Sequence, residues 1–125
     1  MTRYLLDTHA LIWWNEAAPE LSSAAQSVVV NGAQIHVSSA SIYEVEFKIA
    51  RGRLAPWSAS TIALAETEGF LELQISAAHA ERAARLPLVH RDPWDRIIAA
   101  QSIIEDLTVV TRDPAIAALG ARTLW

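Results

Sequence analysis

The chain alternates short apolar runs with longer stretches in which apolar residues recur every three or four positions. Short runs bounded by turn-forming residues are typical of β-strands, whereas the three-to-four spacing is typical of amphipathic helices. The short runs predict strands at residues 4–6, 35–38, 70–75 and 107–111, and a last edge strand at 123–125.

Residues that commonly cap or end helices punctuate the remaining stretches. Asp92-Pro93 is the strongest signal for the start of a helix. Asp accepts hydrogen bonds from the first free backbone N–H groups of a helix, and Pro suits its first turn. Serines provide further helix-start signals, at Ser22 or Ser23, within residues 38–41 and at Ser58 or Ser60, and the stop signals are Asn31-Gly32, Gly52 and Gly69. The predicted helices span residues 9–14, 23–30, 41–50, 60–68, 77–86, 92–105 and a short stretch after Asp113.

Strands and helices alternate throughout, which favours a mostly parallel sheet covered by helices on both faces. At 125 residues and 13.7 kDa, the chain has the usual size of one domain. No repeat or linker is visible in it. We therefore expect a single α/β domain over residues 1–125.

Composition narrows the class of protein. Hydrophobic residues make up 52% and charged residues 19% of the chain, which excludes disorder. Cysteine is absent, so any metal must be bound by oxygen or imidazole, which favours hard cations. No apolar run reaches the length of about 18 residues that a membrane helix requires. The sequence predicts a soluble, cytoplasmic protein with no membrane association.

Four acidic residues are expected at one edge of the predicted sheet. Asp7 follows the first strand and Asp113 follows a late one, while Glu44 and Asp95 fall in the first turns of predicted helices. Ligand sites of open parallel sheets lie at the carboxyl ends of the strands, where helix N-termini also point. Because clustered carboxylates repel one another unless a cation compensates, convergence of these four predicts a Mg²⁺ or Mn²⁺ site. Hydroxyl ligands are available from Thr8 or Thr111, and one or two metal ions are both compatible with the pattern.

A purely structural interpretation is open for four acids: Glu44, Asp92, Asp95 and Asp113. A carboxylate near a helix N-terminus is stabilised by capping and by the helix dipole, and for Asp92 this is the preferred reading. Glu46 is expected to point away from Glu44 as a peripheral charge. His9 and His90 are interpreted as surface or hydrogen-bonded residues rather than ligands. Four tryptophans are interpreted as core or interface residues: Trp13, Trp14, Trp57 and Trp94.

The charge balance argues mildly against a nucleic-acid partner, because the net charge is -4. Nevertheless, nine of the ten basic residues are Arg, and Arg binds phosphate through two parallel hydrogen bonds. Surface ion pairing is an equal alternative for any one of them. The candidates for contact with an RNA backbone are Lys48, Arg51, Arg96 and Arg112.

The same segments resemble a known family. LLDTHALIW at 5–13, SSASIYEV at 38–45, HRDPWDR at 90–96 and VTRD at 110–113 are similar, in order and spacing, to motifs of PIN-domain ribonucleases, and within them of VapC-like toxins of toxin–antitoxin systems. The resemblance covers nearly the whole chain. It implies a three-layer α/β/α fold, Mg²⁺ or Mn²⁺ dependence, endonucleolytic RNA cleavage, a homodimer, and inhibition by a small antitoxin.

By position, the resemblance assigns catalytic and metal-binding roles to Asp7, Glu44, Asp95 and Asp113. The chain departs from the family pattern in three places. Tyr43 and Trp94 replace other aromatic residues, and Glu46 adds a charge where a small or apolar residue is usual. This extra charge weakens the case for RNA binding near Lys48. In such toxins the antitoxin commonly crosses the active-site groove and places an Arg against the acids.

Two alternatives have different functions. The first is a catalytically silent PIN-like module that binds protein or RNA, although a complete set of four acids argues against it. The second is a phosphotransfer receiver or an Asp-nucleophile phosphatase of similar layout. A phosphatase of that type requires a second Asp two residues after the first, and His9 occupies that position here.

Overall fold

A computed structural model describes residues 2–31 and 33–125. Its centre is a sheet of five strands, all parallel: β1 (Arg3–Leu6), β2 (Gln34–Ser38), β3 (Leu71–Leu73), β4 (Thr108–Val110) and β5 (Thr123–Leu124). The predicted last strand is confirmed, and it lies at an edge of the sheet. Gly32, half of a predicted helix stop, lies outside the described residues.

Seven helices connect the described strands. They are α1 (Thr8–Asn15), α2 (Ser23–Val30), α3 (Ser39–Ala50), α4 (Thr61–Glu68), α5 (Ala77–Arg85), α6 (Pro93–Glu105) and α7 (Pro114–Ala118). Capping explains where most of them begin. Ser22, Ser60 and Asp92 each accept a hydrogen bond from a backbone N–H of the first helical turn, as their positions in the sequence predicted.

The strand order β3-β2-β1-β4-β5 places β1 in the middle of the sheet. The chain first builds outward from β1 through β2 to β3, and then returns to the other side of β1 to form β4 and β5. The direction of winding therefore reverses between β1 and β4. In open parallel sheets, this reversal leaves a crevice at the carboxyl ends of the two strands, where ligands bind.

Helices cover both faces of the sheet, so the predicted three-layer α/β/α architecture is confirmed. Successive strand residues point to opposite faces. Leu5 and Val109 pack with residues of α5, α6 and α7 on one face. Leu6 and Val110 pack with residues of α1, α2, α3 and α4 on the other. The two apolar layers hold the β1 and β4 ends in fixed positions.

Two predicted elements differ from the structure. The strand predicted at 70–75 is only Leu71–Leu73, because the Phe70 N–H bonds the Ala65 carbonyl to close α4 and the Gln74 carbonyl accepts from the Gln101 side chain. Helix α3 begins at Ser39 rather than Ser41, because Ser38 caps it. Glu44 therefore lies in the second turn of α3, and its predicted place in the first turn was wrong.

Within the described part of the chain, no helix combines the length and apolar character needed to span a bilayer.

Candidate functional site

Asp7 lies at the end of β1, where the sequence predicted it, and caps α1. Its Oδ1 accepts a hydrogen bond of 2.8 Å from the Ala10 backbone N–H, and the side chain is only 6% exposed. Thr111, at the end of β4, lies close enough for its hydroxyl to lower the pKa of Asp7. Thr111 Oγ1 accepts from the Asp113 backbone N–H at 3.0 Å. Thr111 therefore lies near both acids at the β1–β4 crevice.

Glu44 reaches the same crevice from α3. The Thr8 hydroxyl, which follows Asp7, donates to Glu44 Oε1 at 2.7 Å and lies 3.0 Å from Ser41 Oγ. Thr8 and Ser41 are buried, whereas Glu44 is half-buried. The contact fixes one oxygen of the Glu44 carboxylate against α1. Glu44 is therefore held by tertiary contacts and not by the helix dipole.

Asp95 and Asp113 complete the acidic edge. Asp95 lies in the first turn of α6, as predicted, and its Oδ2 is 2.7 Å from Nε2 of His90. Asp113 caps α7 by accepting from the Ala115 N–H at 2.9 Å. His90, Asp95 and Asp113 each offer one ligand atom, and these atoms lie within 4.8 Å of one another.

Burial and mutual repulsion act on these carboxyls. Burial raises the pKa of Asp7, although hydrogen bonds from Thr111 and Ala10 oppose the shift, and the Asp95 charge raises it further. Burial likewise raises the pKa of Glu44 and Asp95. The charge of Asp95 adds to the shift at Glu44, and that of Asp113 adds to the shift at Asp95. The charge of Asp95 therefore interacts with the charges of the other three acids.

These residues fit a hard divalent cation. Carboxylate oxygens predominate, one imidazole and two threonine hydroxyls lie beside them, and cysteine is absent from the chain. A bound cation would offset the burial and the mutual repulsion that raise the three carboxyl pKa values. His90, Asp95 and Asp113 form the grouping whose ligand atoms all lie within 4.8 Å of one another, and Asp7 and Glu44 are not part of it. All four predicted acids lie at one edge of the sheet.

A pocket of about 420 Å³ opens beside the acids, lined by Asp7, His9, Trp13, Arg112, Asp113 and Pro114. The Arg112 guanidinium lies 4.5 Å from the centre of the Trp13 ring. The centre of the His9 ring lies 5.4 Å from the same ring centre. One wall of the pocket is therefore acidic, and another carries a cation stacked on an aromatic ring.

The basic candidates are placed differently from one another. Lys48 is close enough for its charge to lower the pKa of Glu44, and Arg51 lies 5.5 Å from the Phe47 ring centre. Arg96 was predicted to contact RNA, but it is only 9% exposed and donates to the carbonyls of Leu86, Pro87 and His90. Its guanidinium donates to carbonyls within the fold, so Arg96 is not available to bind a phosphate.

Sequence reasoning missed two of these contacts. His90 is hydrogen-bonded, in agreement with its interpretation from the sequence, but its partner Asp95 was not predicted. The five-residue spacing of His90 and Asp95 in HRDPWD was the available signal. Glu46 points away from the acids, but it is more than a peripheral charge. Its Oε2 accepts from the N–H and the hydroxyl of Thr61, the first residue of α4.

Residues 4–121 match the family of the PIN domain. This chain belongs to the PIN-domain family. The PIN-domain chain is 28% identical over 120 residues to ribonuclease VapC22 of Mycobacterium tuberculosis, and the match covers 90% of this chain and 88% of that relative. The predicted resemblance to VapC-like proteins is thereby confirmed, and the receiver and phosphatase alternative is set aside.

Solved structures share the fold at lower identity. A chain in the crystal structure of VapBC2 from Rickettsia felis bound to a promoter DNA fragment has a TM-score of 0.77 at 15% identity, with 98% of each chain covered. A chain of a toxin–antitoxin complex from Klebsiella pneumoniae has a TM-score of 0.71 at 21% identity, covering 98% of this chain and 96% of that one. Both establish the PIN-domain architecture.

Proposed function

We propose that this PIN-domain protein is a metal-dependent endoribonuclease and the toxin component of a toxin–antitoxin pair. The observation that supports the proposal most directly is the convergence of Asp7, Glu44, Asp95 and Asp113 at the β1–β4 crevice. Burial raises the pKa of three of these carboxyls, so a divalent cation would stabilise their charged forms.

Asp7, Asp95 and Asp113 are the proposed ligands, with Glu44 as a further ligand or as the residue that orients the attacking water. A bound Mg²⁺ or Mn²⁺ would polarise the phosphodiester and lower the pKa of water, which is the chemistry that hydrolysis of RNA requires.

The chain's own residues prepare the site for this reaction. The Ala10 N–H at the α1 N-terminus holds Oδ1 of the Asp7 carboxylate. Thr8 donates to Glu44 Oε1, which leaves Oε2 to accept a hydrogen bond from water. Positions fixed by buried hydrogen bonds reduce the reorganisation that the reaction needs.

RNA binding is the second part of the proposal. Arg112 borders the pocket beside Asp113, and its planar guanidinium can pair with a phosphate next to the scissile bond. Lys48 and Arg51 extend the positive charge along the end of α3. These local cations would hold the backbone although the whole chain has a net charge of -4.

The partners follow from the same reasoning. A chain similar to this one occurs in VapBC and toxin–antitoxin complexes, which supports a small antitoxin as partner. An acidic crevice favours an antitoxin segment that carries Arg or Lys. Exposed, stacked aromatic rings on α3, Tyr43 and Phe47, support a protein contact there, and we include a homodimer and a cytoplasmic location in the proposal.

Cleavage of a mixed cellular RNA pool by the purified protein tests this function. Discrete fragments should form with Mg²⁺ or Mn²⁺, and should disappear with EDTA or with Asp95→Asn. Asp106→Asn is the matched control, because Asp106 lies exposed at the other end of α6 and should leave cleavage unchanged. Folded, metal-loaded protein that cuts no RNA would contradict the proposal and favour a silent PIN-like binding module.

A further inference from the structure

The position of Arg96 is unusual for a charged side chain. It is 9% exposed, and its guanidinium donates to Leu86 O at 2.8 Å, Pro87 O at 2.7 Å and His90 O at 2.9 Å. The ion pairs found in the described part of the chain do not include it. A buried guanidinium is costly unless its donors are satisfied, and here backbone carbonyls satisfy them.

All three carbonyls belong to the connection between α5 and α6. This connection forms no helix or strand, and only Leu86 at its start is buried in the core, whereas Leu88 is 89% exposed and Val89 is 65% exposed. Burial of side chains therefore contributes little to fixing the path after Leu86. The bonds from Arg96 to the carbonyls of Pro87 and His90 hold the backbone of this exposed part.

The connection carries His90 to the acidic site. Nε2 of His90 donates to Asp95 Oδ2 at 2.7 Å, which leaves Oδ1 of the same carboxylate for another partner. Arg96 is the residue after Asp95 on α6, so one helical turn presents the acid and anchors the segment that brings the imidazole to it. A displacement of the His90 backbone would break the bond between imidazole and carboxylate.

We infer that Arg96 is a positioning residue that acts through the 86–90 connection, and that His90 orients the Asp95 carboxylate for a divalent cation by hydrogen bonding rather than by ligation. The inference rests on the proposed function. Hydrogen-bond partners of ligating carboxylates set the direction of the free oxygen, and their loss typically lowers metal affinity roughly 10- to 100-fold.

The test measures the affinity of the full chain for Mn²⁺ by electron paramagnetic resonance, independently of cleavage. His90→Ala and Arg96→Lys should each weaken Mn²⁺ binding roughly 10- to 100-fold. Lysine keeps the charge but cannot reach three carbonyls with a planar fork. His90→Gln should restore most of the affinity, because the Gln amide can donate where Nε2 does. Arg91→Lys, in the same connection, is the matched control and should bind as the unaltered chain does.

The double variant separates positioning from a general structural effect. If Arg96 acts through His90, combining Arg96→Lys with His90→Ala should weaken Mn²⁺ binding no more than either change alone. Losses that multiply would overturn the inference. So would Mn²⁺ spectra in which the unaltered protein shows directly coordinated nitrogen that His90→Ala loses, because His90 would then be a ligand.

A measurement on the unaltered chain keeps the Arg96 step testable even if its variants do not fold. Backbone ¹⁵N order parameters for residues 88–90 should be about 0.85, as in rigid secondary structure, although the side chains of Leu88 and Val89 are exposed. Values below about 0.6 would overturn the role of Arg96. An unaltered chain that binds no Mn²⁺ would overturn the proposed function and the inference together, whereas equal binding by all variants would overturn the inference alone.

Discussion

At the scale of single residues, the site depends on short polar side chains beside the acids. Thr8 and Thr111 each follow a strand by one or two positions. The Thr8 hydroxyl donates to Glu44, and the Thr111 hydroxyl accepts from the Asp113 N–H and lowers the pKa of Asp7. A threonine hydroxyl provides one donor and accepts on its lone pairs, so each can bridge two neighbours. The acids are therefore oriented before any cation binds.

Removal of the Asp7 charge should stabilise the metal-free protein. Burial raises the pKa of Asp7, so the ionised carboxylate weakens the folded state at neutral pH. In Asp7→Asn the amide oxygen can still accept from the Ala10 N–H, and we expect the free energy of unfolding in EDTA at pH 7 to rise by about 1 kcal/mol. Urea denaturation measures this change.

A bound metal should favour the unaltered chain over Asp7→Asn. A cation that binds only the folded state adds about 2.7 kcal/mol at a hundredfold excess over its Kd. Mn²⁺ should therefore stabilise the unaltered chain more than Asp7→Asn. A lower stability of Asp7→Asn in EDTA, or equal stabilisation of both by Mn²⁺, would contradict this account of Asp7.

At the scale of elements, capping residues could be predicted from the sequence because their effect is local. Asp92, Ser22 and Ser60 begin their helices where the pattern indicated. The start of α3 was misplaced because several neighbouring serines can cap, and tertiary packing selects Ser38. The contact of Glu46 with α4 joins residues 15 positions apart, which no local pattern indicates.

That contact predicts a pH-dependent contribution to stability. Hydrogen bonds from the hydroxyl and N–H of Thr61 lower the pKa of Glu46. A lowered carboxyl pKa stabilises the fold above the ordinary carboxyl value, and the contribution is lost as the pH falls through the folded value. Because Glu46 is exposed, Glu46→Ala should lower the free energy of unfolding at pH 7 by only about 0.5 kcal/mol, and by less at pH 3.

Glu68→Ala, at the other end of α4, is the control, since Glu68 is exposed and caps no helix. The free energy of unfolding of Glu68→Ala should not fall below that of the unaltered chain at pH 3 or at pH 7. An equal loss for Glu46→Ala at pH 3 and pH 7 would show that the ionised carboxylate is not the stabilising form.

At the scale of the whole molecule, the alternation of strands and helices predicted the layers but not the strand order. That order depends on which strands pack side by side, and it places the winding reversal between β1 and β4. The positions of Asp7, Asp95 and Asp113 could be predicted because each is tied to the end of a strand or the start of a helix, whereas Glu44 lies in the second turn of α3 and is held by the tertiary contact with Thr8. The place of Arg96 could not, because its burial depends on how the connection after α5 folds back over α6.

The stacked Arg112 should contribute to RNA binding through a phosphate contact. In the Asp95→Asn background, which prevents cleavage, Arg112→Ala should weaken RNA binding and reduce the slope of log affinity against log salt by about one. Arg122→Ala is the control, because Arg122 lies at a separate pocket and pairs with Asp106. Equal salt slopes for the two variants would place the phosphate contact elsewhere.

The most direct test of the central claim is the position of a divalent cation on the chain. Crystals grown with Mn²⁺ should give an anomalous scattering peak at the β1–β4 crevice, between the carboxylates of Asp7, Asp95 and Asp113. The same peak should be absent from crystals of Asp95→Asn. A peak away from these carboxylates, or none in crystals of the unaltered protein at saturating Mn²⁺, would contradict the claim that these acids form a metal-dependent ribonuclease site.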